Sequence, residues 1–314
     1  MSGRVRLDLE SIFYDNTIRP IITMTDLLNE LKTLNTTLQR LADFYLPSLD
    51  PDIFDSFKAF RAYSRNNNLC VRGIPGHDRI HLQELRGIDQ VVKELKKNTE
   101  QFLSGLPCNN VLLYGPRGTG KSSAIKALLN AYSRRGLRMI EMPRDTLFHI
   151  LEIAEALKDR PESFIIFCDD LSFEEEEKSY RQLKTILEGG LETRPKNMLI
   201  YATSNRRHLM PEMAGDNLPS FSGGELQPAE TVEEKMSLSD RFGLRFGLPH
   251  FDVETYLDIV FNYASLRKIL VRHETLKQKA MQWSLSHGSY SGRTARQFID
   301  DLEGQMGSRK KQPR

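Results

Sequence analysis

From Thr25 the apolar positions recur at three- and four-residue steps: Leu27, Leu28, Leu31, Leu34, Leu38, Leu41 and Tyr45. That period predicts an amphipathic helix with Thr25 as its N-cap and Pro47 closing it. Phe54, Phe57, Phe60 and Tyr63 follow at i, i+3 spacing and read as a further helical stripe turned toward a core. The stretch SRNNNLCVRGIPGHDRI, rich in Asn, Gly and Pro, then reads as a linker. Residues 1–81 are thus expected to form a helical N-terminal segment.

Past Leu82 the pattern changes. A helix is expected near Asp89 to Leu103, and four short apolar runs then alternate with helical stretches: NVLLY at 110–114, LRMIEM at 137–142, SFIIFC at 163–168 and NMLIYATS at 197–204. Runs that are apolar throughout are buried on both faces, so the fold class is α/β, a parallel sheet flanked by crossover helices, over residues 82–250. Residues 217–234, polar, acidic and rich in Gly and Pro, read as a mobile loop inserted between sheet elements. Three helical patterns at 253–267, 274–286 and 293–303 form a small helical lid over 251–305, and 306–314, ending GSRKKQPR, read as a disordered basic tail.

Composition narrows the function classes. With 44 Lys and Arg against 42 Asp and Glu, the net charge of +2 lacks the excess by which charge alone would advertise nucleic acid. No apolar run reaches the ~18 residues of a membrane span, and the opening MSGRVRLDLE lacks a signal-peptide apolar region, so a soluble cytoplasmic protein without a membrane partner is expected. Cys70, Cys108 and Cys168 lie far apart, which argues against a disulfide framework or a zinc knuckle and for small buried residues. His77 and His81 have the i, i+4 spacing of a zinc pair, but no third ligand is evident.

The chemistry concentrates in three places. Residues 115–122, GPRGTGKS, lie between the strand NVLLY and the helical run SAIKALLNAY, and fit G-x-x-x-x-G-K-S/T. Gly115, Gly118 and Gly120 allow consecutive backbone N–H groups to point inward at an anion, and the helix that follows adds its dipole. Triphosphate is the anion that fits, with Lys121 on the β- and γ-phosphates and Ser122 as a Mg²⁺ ligand. The strand FIIFC ends in Asp169 and Asp170: Asp169 is expected to hold Mg²⁺ through a water, and Asp170 to act as the base or to orient the water. The strand at 197–204 ends in Thr203, Ser204 and Asn205, and Asn205 is placed to orient an attacking water. Arg241 in SLSDRFGL, with Arg293 and Arg296 in SGRTARQF, are candidate guanidinium partners of a transferring phosphoryl group.

Together these residues resemble the AAA+ ATPases over roughly 82–305. FIIFCDD resembles the family's Walker B motif, ATSN its sensor 1 through Asn205, SLSDRFGL its arginine-finger segment through Arg241, and SGR its sensor 2 through Arg293 on the lid. The resemblance implies that Gly87 and Ile88 sit against adenine and that Gly115, Pro116, Arg117, Gly118, Thr119, Gly120, Lys121, Ser122 and Ser123 cradle the phosphates. More narrowly, the wording DDLSFE, YATSNRRHL and SLSDRFGL is similar to a bacterial family of ATP-binding proteins catalogued as domain of unknown function 815. The resemblance implies a homo-oligomeric ring or spiral, because an arginine finger acts on a neighbour's nucleotide. The function expected is Mg²⁺-dependent ATP hydrolysis that remodels or loads a protein or nucleic-acid client. Asp170, where relatives place Glu, points to slow turnover. Two alternatives remain open: a nucleotide-gated adaptor with little turnover, and a helicase-loader-like ATPase that holds single-stranded DNA through Arg206 and Arg207.

Overall fold

The computed structural model describes residues 24–45, 52–173, 178–188, 194–206, 209, 220–222, 225–227 and 238–311. The chain divides into two units, with the break between Ser48 and Leu49. In the first, the described element is helix α1 (Met24–Tyr45), and Pro47, expected to close it, lies outside the described residues.

The second unit begins with a short helix α2 (Ile53–Ser56), the hairpin β1 (Ala59–Arg65) and β2 (Asn68–Gly73), and helix α3 (Asp89–Leu103). Then come β3 (Val111–Tyr114), α4 (Lys121–Tyr132), β4 (Leu137–Glu141), α5 (Ile150–Leu157), β5 (Ser163–Cys168), α6 (Lys178–Glu188) and β6 (Met198–Ser204). A small pair, β7 (Ser220–Ser222) and β8 (Glu225–Gln227), precedes β9 (Leu244–Gly247), and helices α7 (Val253–Leu266), α8 (His273–His287) and α9 (Gly292–Lys311) complete the described chain.

Seven strands form one sheet in the order β2-β1-β4-β5-β6-β3-β9. All neighbours are parallel except β1 with β2. Successive residues of each central strand feed opposite faces: Val111 and Leu113 join one core with α3, α4 and the lid helices, while Leu112 joins the other with α5 and α6. This two-sided burial is why the strands read as unbroken apolar runs.

Four expectations are corrected. The helical segment expected over 1–81 gives way to strands between Ala59 and Gly73. The aromatic stripe is interrupted at Phe57, whose backbone is extended, and beyond it Phe60 and Ala62 point inward while Arg61 and Tyr63 point out, a period of two. The expected linker holds the hairpin turn: Arg65 pairs with Asn68 across Asn66 and Asn67, both at positive φ (51° and 63°), the backbone that a two-residue hairpin loop demands and Asn tolerates. Finally, α9 continues to Lys311 where a disordered tail was expected, because Gln305, Met306, Arg309 and Lys310 favour helix and Met306 packs on the core's edge. Of the loop expected at 217–234, β7 and β8 are described and pair antiparallel, and the rest lies outside the described residues. Cys70 and Cys168 are buried as expected, and Cys108 is half-buried.

Candidate functional site

Because β3, β5 and β6 run parallel, their carboxyl ends bring Gly115, Asp169 and Asn205 to one edge of the sheet. The loop between β3 and α4 passes so close to the chain after β9 that a Cβ on Gly115 would lie 2.2 Å from the Leu248 carbonyl oxygen. Gly115 also has φ +136°, so no other residue fits there. Gly120, at φ +92°, turns the loop into α4, which starts at Lys121.

Lys121 is buried, and its Nζ donates to the carbonyls of Gly115 and Pro116 at 2.7 Å each and to Asn205 Oδ1 at 3.3 Å. Burial pushes its pKa down, Asp170 and Asp169 oppose that shift, and Arg293 and Arg117 reinforce it. Ser122 Oγ and Thr203 Oγ1 both donate to Asp169 Oδ1 at 2.6 Å. Thr203 Oγ1 in turn accepts from the Asp170 amide at 2.9 Å. Asp170 stands in the left-handed region at φ +53°, and its carboxylate accepts from the Asn205 side-chain amide. Asn205 therefore joins Lys121 to Asp170 through its two side-chain ends.

These groups face a cavity of about 420 Å³. Arg117, Gly118, Thr119, Gly120, Lys121, Ser122, Ser123, Asp169, Asp170 and Asn205 all line it. Ile88, Leu85, Phe251 and Tyr263 give it an apolar wall. The lid closes one side: the Gly292 amide donates to the Gly118 carbonyl at 2.9 Å, which brings Arg293 and Arg296 to the cavity. Gly115 and Pro116 sit behind the lining and hold Lys121 through their carbonyls. Gly87 is not itself among the lining residues, although Arg86 and Ile88 on either side of it are, and a Cβ there would meet Thr255 Cγ2 on α7 at 2.4 Å.

Arg241 is not part of this cavity. It is ion-paired with Glu188 and lines a separate recess of about 260 Å³ with Cys108, Asn110, Arg194 and Gly243, near the amino ends of β3 and β9. The sequence marks Thr203 only as polar and gives no signal for Arg194 or Tyr263, although Thr203 and Tyr263 line the cavity and Arg194 the recess. The signal for Thr203 lay in its position on the buried strand one residue from the edge, where a hydroxyl needs a partner. His77 Nε2 donates to Asn130 Oδ1 at 2.9 Å in irregular backbone, and among the described residues no cluster of three His, Cys, Asp or Glu could hold a metal. Arg206 is exposed, whereas Arg207 and Glu174 to Glu177 lie outside the described residues. No helix among the described residues is long and apolar enough to cross a membrane.

The structure resembles that of a point mutant of RuvB from Thermotoga maritima, with a TM-score of 0.50 and 17% identity over 74% of this chain and 67% of that one. A second structure, described as the Thermotoga maritima RuvB Holliday junction branch migration motor, has a TM-score of 0.42 and 14% identity, covering 70% of this chain and 71% of that one. In sequence, 75 residues are 41% identical to the replication factor C large subunit of Sulfolobus acidocaldarius. That match takes in 24% of this chain and 17% of that protein's length. Residues 55–306 match the model of a family described as "Protein of unknown function (DUF815)". The chain belongs to that family, and its sheet and helical lid share the fold of RuvB.

Proposed function

We propose that the chain binds Mg²⁺-ATP between loop and lid and hydrolyses it to ADP and phosphate in a homo-oligomer, where Arg241 of one subunit serves the nucleotide of the next. The observation that carries this reading is the convergence of loop amides, Lys121, Ser122, two aspartates and a lid arginine on one cavity, with Arg241 outside it. The donor set suits a hard cation: Ser122 Oγ and Asp169 Oδ1 are 2.6 Å apart. Bound there with the substrate, Mg²⁺ would neutralise charge on the β- and γ-phosphates.

In this reading Lys121 exchanges its two carbonyl partners for phosphate oxygens. Asp170 takes the proton of the attacking water, and Asn205, tied to both Lys121 and Asp170, orients that water. Arg293 holds the γ-phosphate from the lid. Loss of that phosphate removes a contact between lid and loop, and this differential contact shifts the lid to act on a client. The Asn205 bond and the left-handed backbone of Asp170 favour one second reading, a nucleotide-gated adaptor whose base is engaged by Asn205 rather than by an attacking water.

The test mixes Lys121→Ala subunits with Arg241→Ala subunits and measures phosphate release. Each alone is inactive, and the mixture regains activity because a Lys121→Ala subunit lends its Arg241 to a neighbour with an intact loop. No recovery on mixing rejects a shared site. ATP binding without turnover in the unaltered protein, followed by the fluorescence of Trp283 on α8, selects the adaptor.

A further inference from the structure

Helix α1 carries the densest set of exposed large apolar side chains among the described residues. Leu27, Leu28, Leu31, Leu34 and Leu38 are 45% to 55% exposed. Nothing in the proposed nucleotide chemistry uses them. A lone helix of this length is marginal in water, because propagation barely repays nucleation, so the leucine face calls for a partner.

The spacing identifies the kind of partner. Leu27, Leu31, Leu34 and Leu38 are separated by four, three and four residues, and the sequence keeps that alternation to Leu41 and Tyr45. The mean step is 3.5 rather than 3.6, which keeps one seam along the helix only if two helices wind round each other. With Leu31 and Leu38 at the a positions and Leu27 and Leu34 at d, the flanking e and g positions are Leu28, Asn35, Ala42, Glu30, Thr37 and Phe44. Glu30 alone is charged, so a second copy of the same seam meets no like charge, and in a parallel pair Glu30 falls opposite Asn35. Partner choice between unlike helices is ordinarily written in e and g charges, and this helix has almost none.

Thr37 on the flank does not oppose closure either: its hydroxyl donates to the Thr33 carbonyl at 2.9 Å, so its polar hydrogen is already spent. The half-exposed leucines leave on the order of 100 Å² each, and two such faces together remove roughly 1,000 Å² from water, the lower bound for a specific interface. The seam fits itself in spacing, in size and in charge.

We infer that α1 pairs with α1 of a second copy as a parallel two-stranded coiled coil, joining subunits through a contact that needs no nucleotide. The pairing stands apart from the ATPase reading, since Lys121→Ala leaves it intact.

Sedimentation equilibrium of the full chain without nucleotide tests it. The expected mass is twice the 36.1 kDa of one chain, in both the unaltered protein and Lys121→Ala. Leu31→Lys with Leu34→Lys is expected to give the single-chain mass while keeping the thermal midpoint of the second unit and its nucleotide binding. A single-chain mass for the unaltered protein at tens of micromolar, or an unchanged mass for the double variant, overturns the pairing. Loss of folding in the double variant overturns it too, because that result places the leucines against this chain's own core. Orientation is read by oxidation: Leu31→Cys subunits are expected to cross-link to one another. Cross-linking only between Leu31→Cys and Leu38→Cys subunits overturns the parallel arrangement.

Discussion

The two ends of the central sheet handle buried polar groups in opposite ways. At the carboxyl end, Lys121 rests on two backbone carbonyls and one amide, and Ser122 and Thr203 share a single oxygen of Asp169. At the amino end, Asn98 donates to the Asn109 carbonyl at 2.8 Å and to the Tyr201 hydroxyl at 2.9 Å, and accepts from the Asn109 amide at 3.0 Å. Asn110 Oδ1 accepts from the Ile200 amide and from Arg194, and Asn197 donates to the carbonyls of Leu157 and Arg160. The first set is charged, faces open space and has partners that an incoming phosphate can replace. The second is largely neutral amide, and its bonds hold the chain entering β3 and β6. Burial and hydrogen bonding alone do not mark a functional residue; exchangeable partners around a cavity do.

Replacing Lys121 is the strongest way to break that contrast. Lys121→Ala is expected to lower phosphate release by at least about a hundredfold, the scale set by removing one preorganised charge from a phosphoryl-transfer site. Its thermal midpoint at pH 7 is expected to hold or rise. Burial places the folded pKa of Lys121 below its ordinary 10.5, so the charged form costs stability at neutral pH, and that cost fades as pH rises through the folded value. A fall in midpoint larger than that of an Asn98 variant would mean that both ends of the sheet serve structure.

Asn98→Ala is expected to do the reverse. It leaves the Asn109 amide and carbonyl and the Tyr201 hydroxyl each short of a partner, a loss of about 2 kcal/mol in urea unfolding. Tyr201 keeps its proton at any working pH, since burial raises its pKa to about 12, so it cannot adapt by ionising. Turnover per folded molecule is expected to stay within about twofold. Loss of turnover in the folded fraction would join the amino end to the site.

Much of this was legible in the sequence, for reasons particular to each element. GPRGTGKS between an apolar strand and a helix could be read because backbone, charge and hydroxyl are all demanded at fixed spacing within one segment. Asp169, Asp170 and Asn205 could be read because strand ends declare themselves where apolar runs stop. The strand β1 could not, since Phe54, Phe57 and Phe60 satisfy a helical period by coincidence and Asn66 and Asn67 look like linker until their positive φ is seen. Gly87 could not be placed either, because its neighbour Thr255 comes from a helix far along the chain. The pairing of Arg241 with Glu188 is equally a product of the fold, which brings α6 beside the turn before β9.

The smallest effect sharpens the contrast through pH. Arg160 donates to both oxygens of Glu162 at 3.1 and 3.2 Å near the amino end of β5, and this bond holds the Glu162 carboxyl below its ordinary 4.5 against the opposing pull of burial. A depressed carboxylate pKa adds stability above the unfolded value, and that stability disappears as pH falls through the folded value. Glu162→Gln is therefore expected to lower stability by about 1 kcal/mol at pH 7. The two proteins should converge only as pH falls through the depressed folded value of Glu162, below its ordinary 4.5, where the unaltered carboxyl is itself protonated. Phosphate release at pH 7 should not change, because the pair stands at the end of the sheet away from Lys121. If the stability difference persisted undiminished in acid, the bond to Arg160 would not be its source, and the packing of Glu162 beside the Asn197 amide would have to account for it.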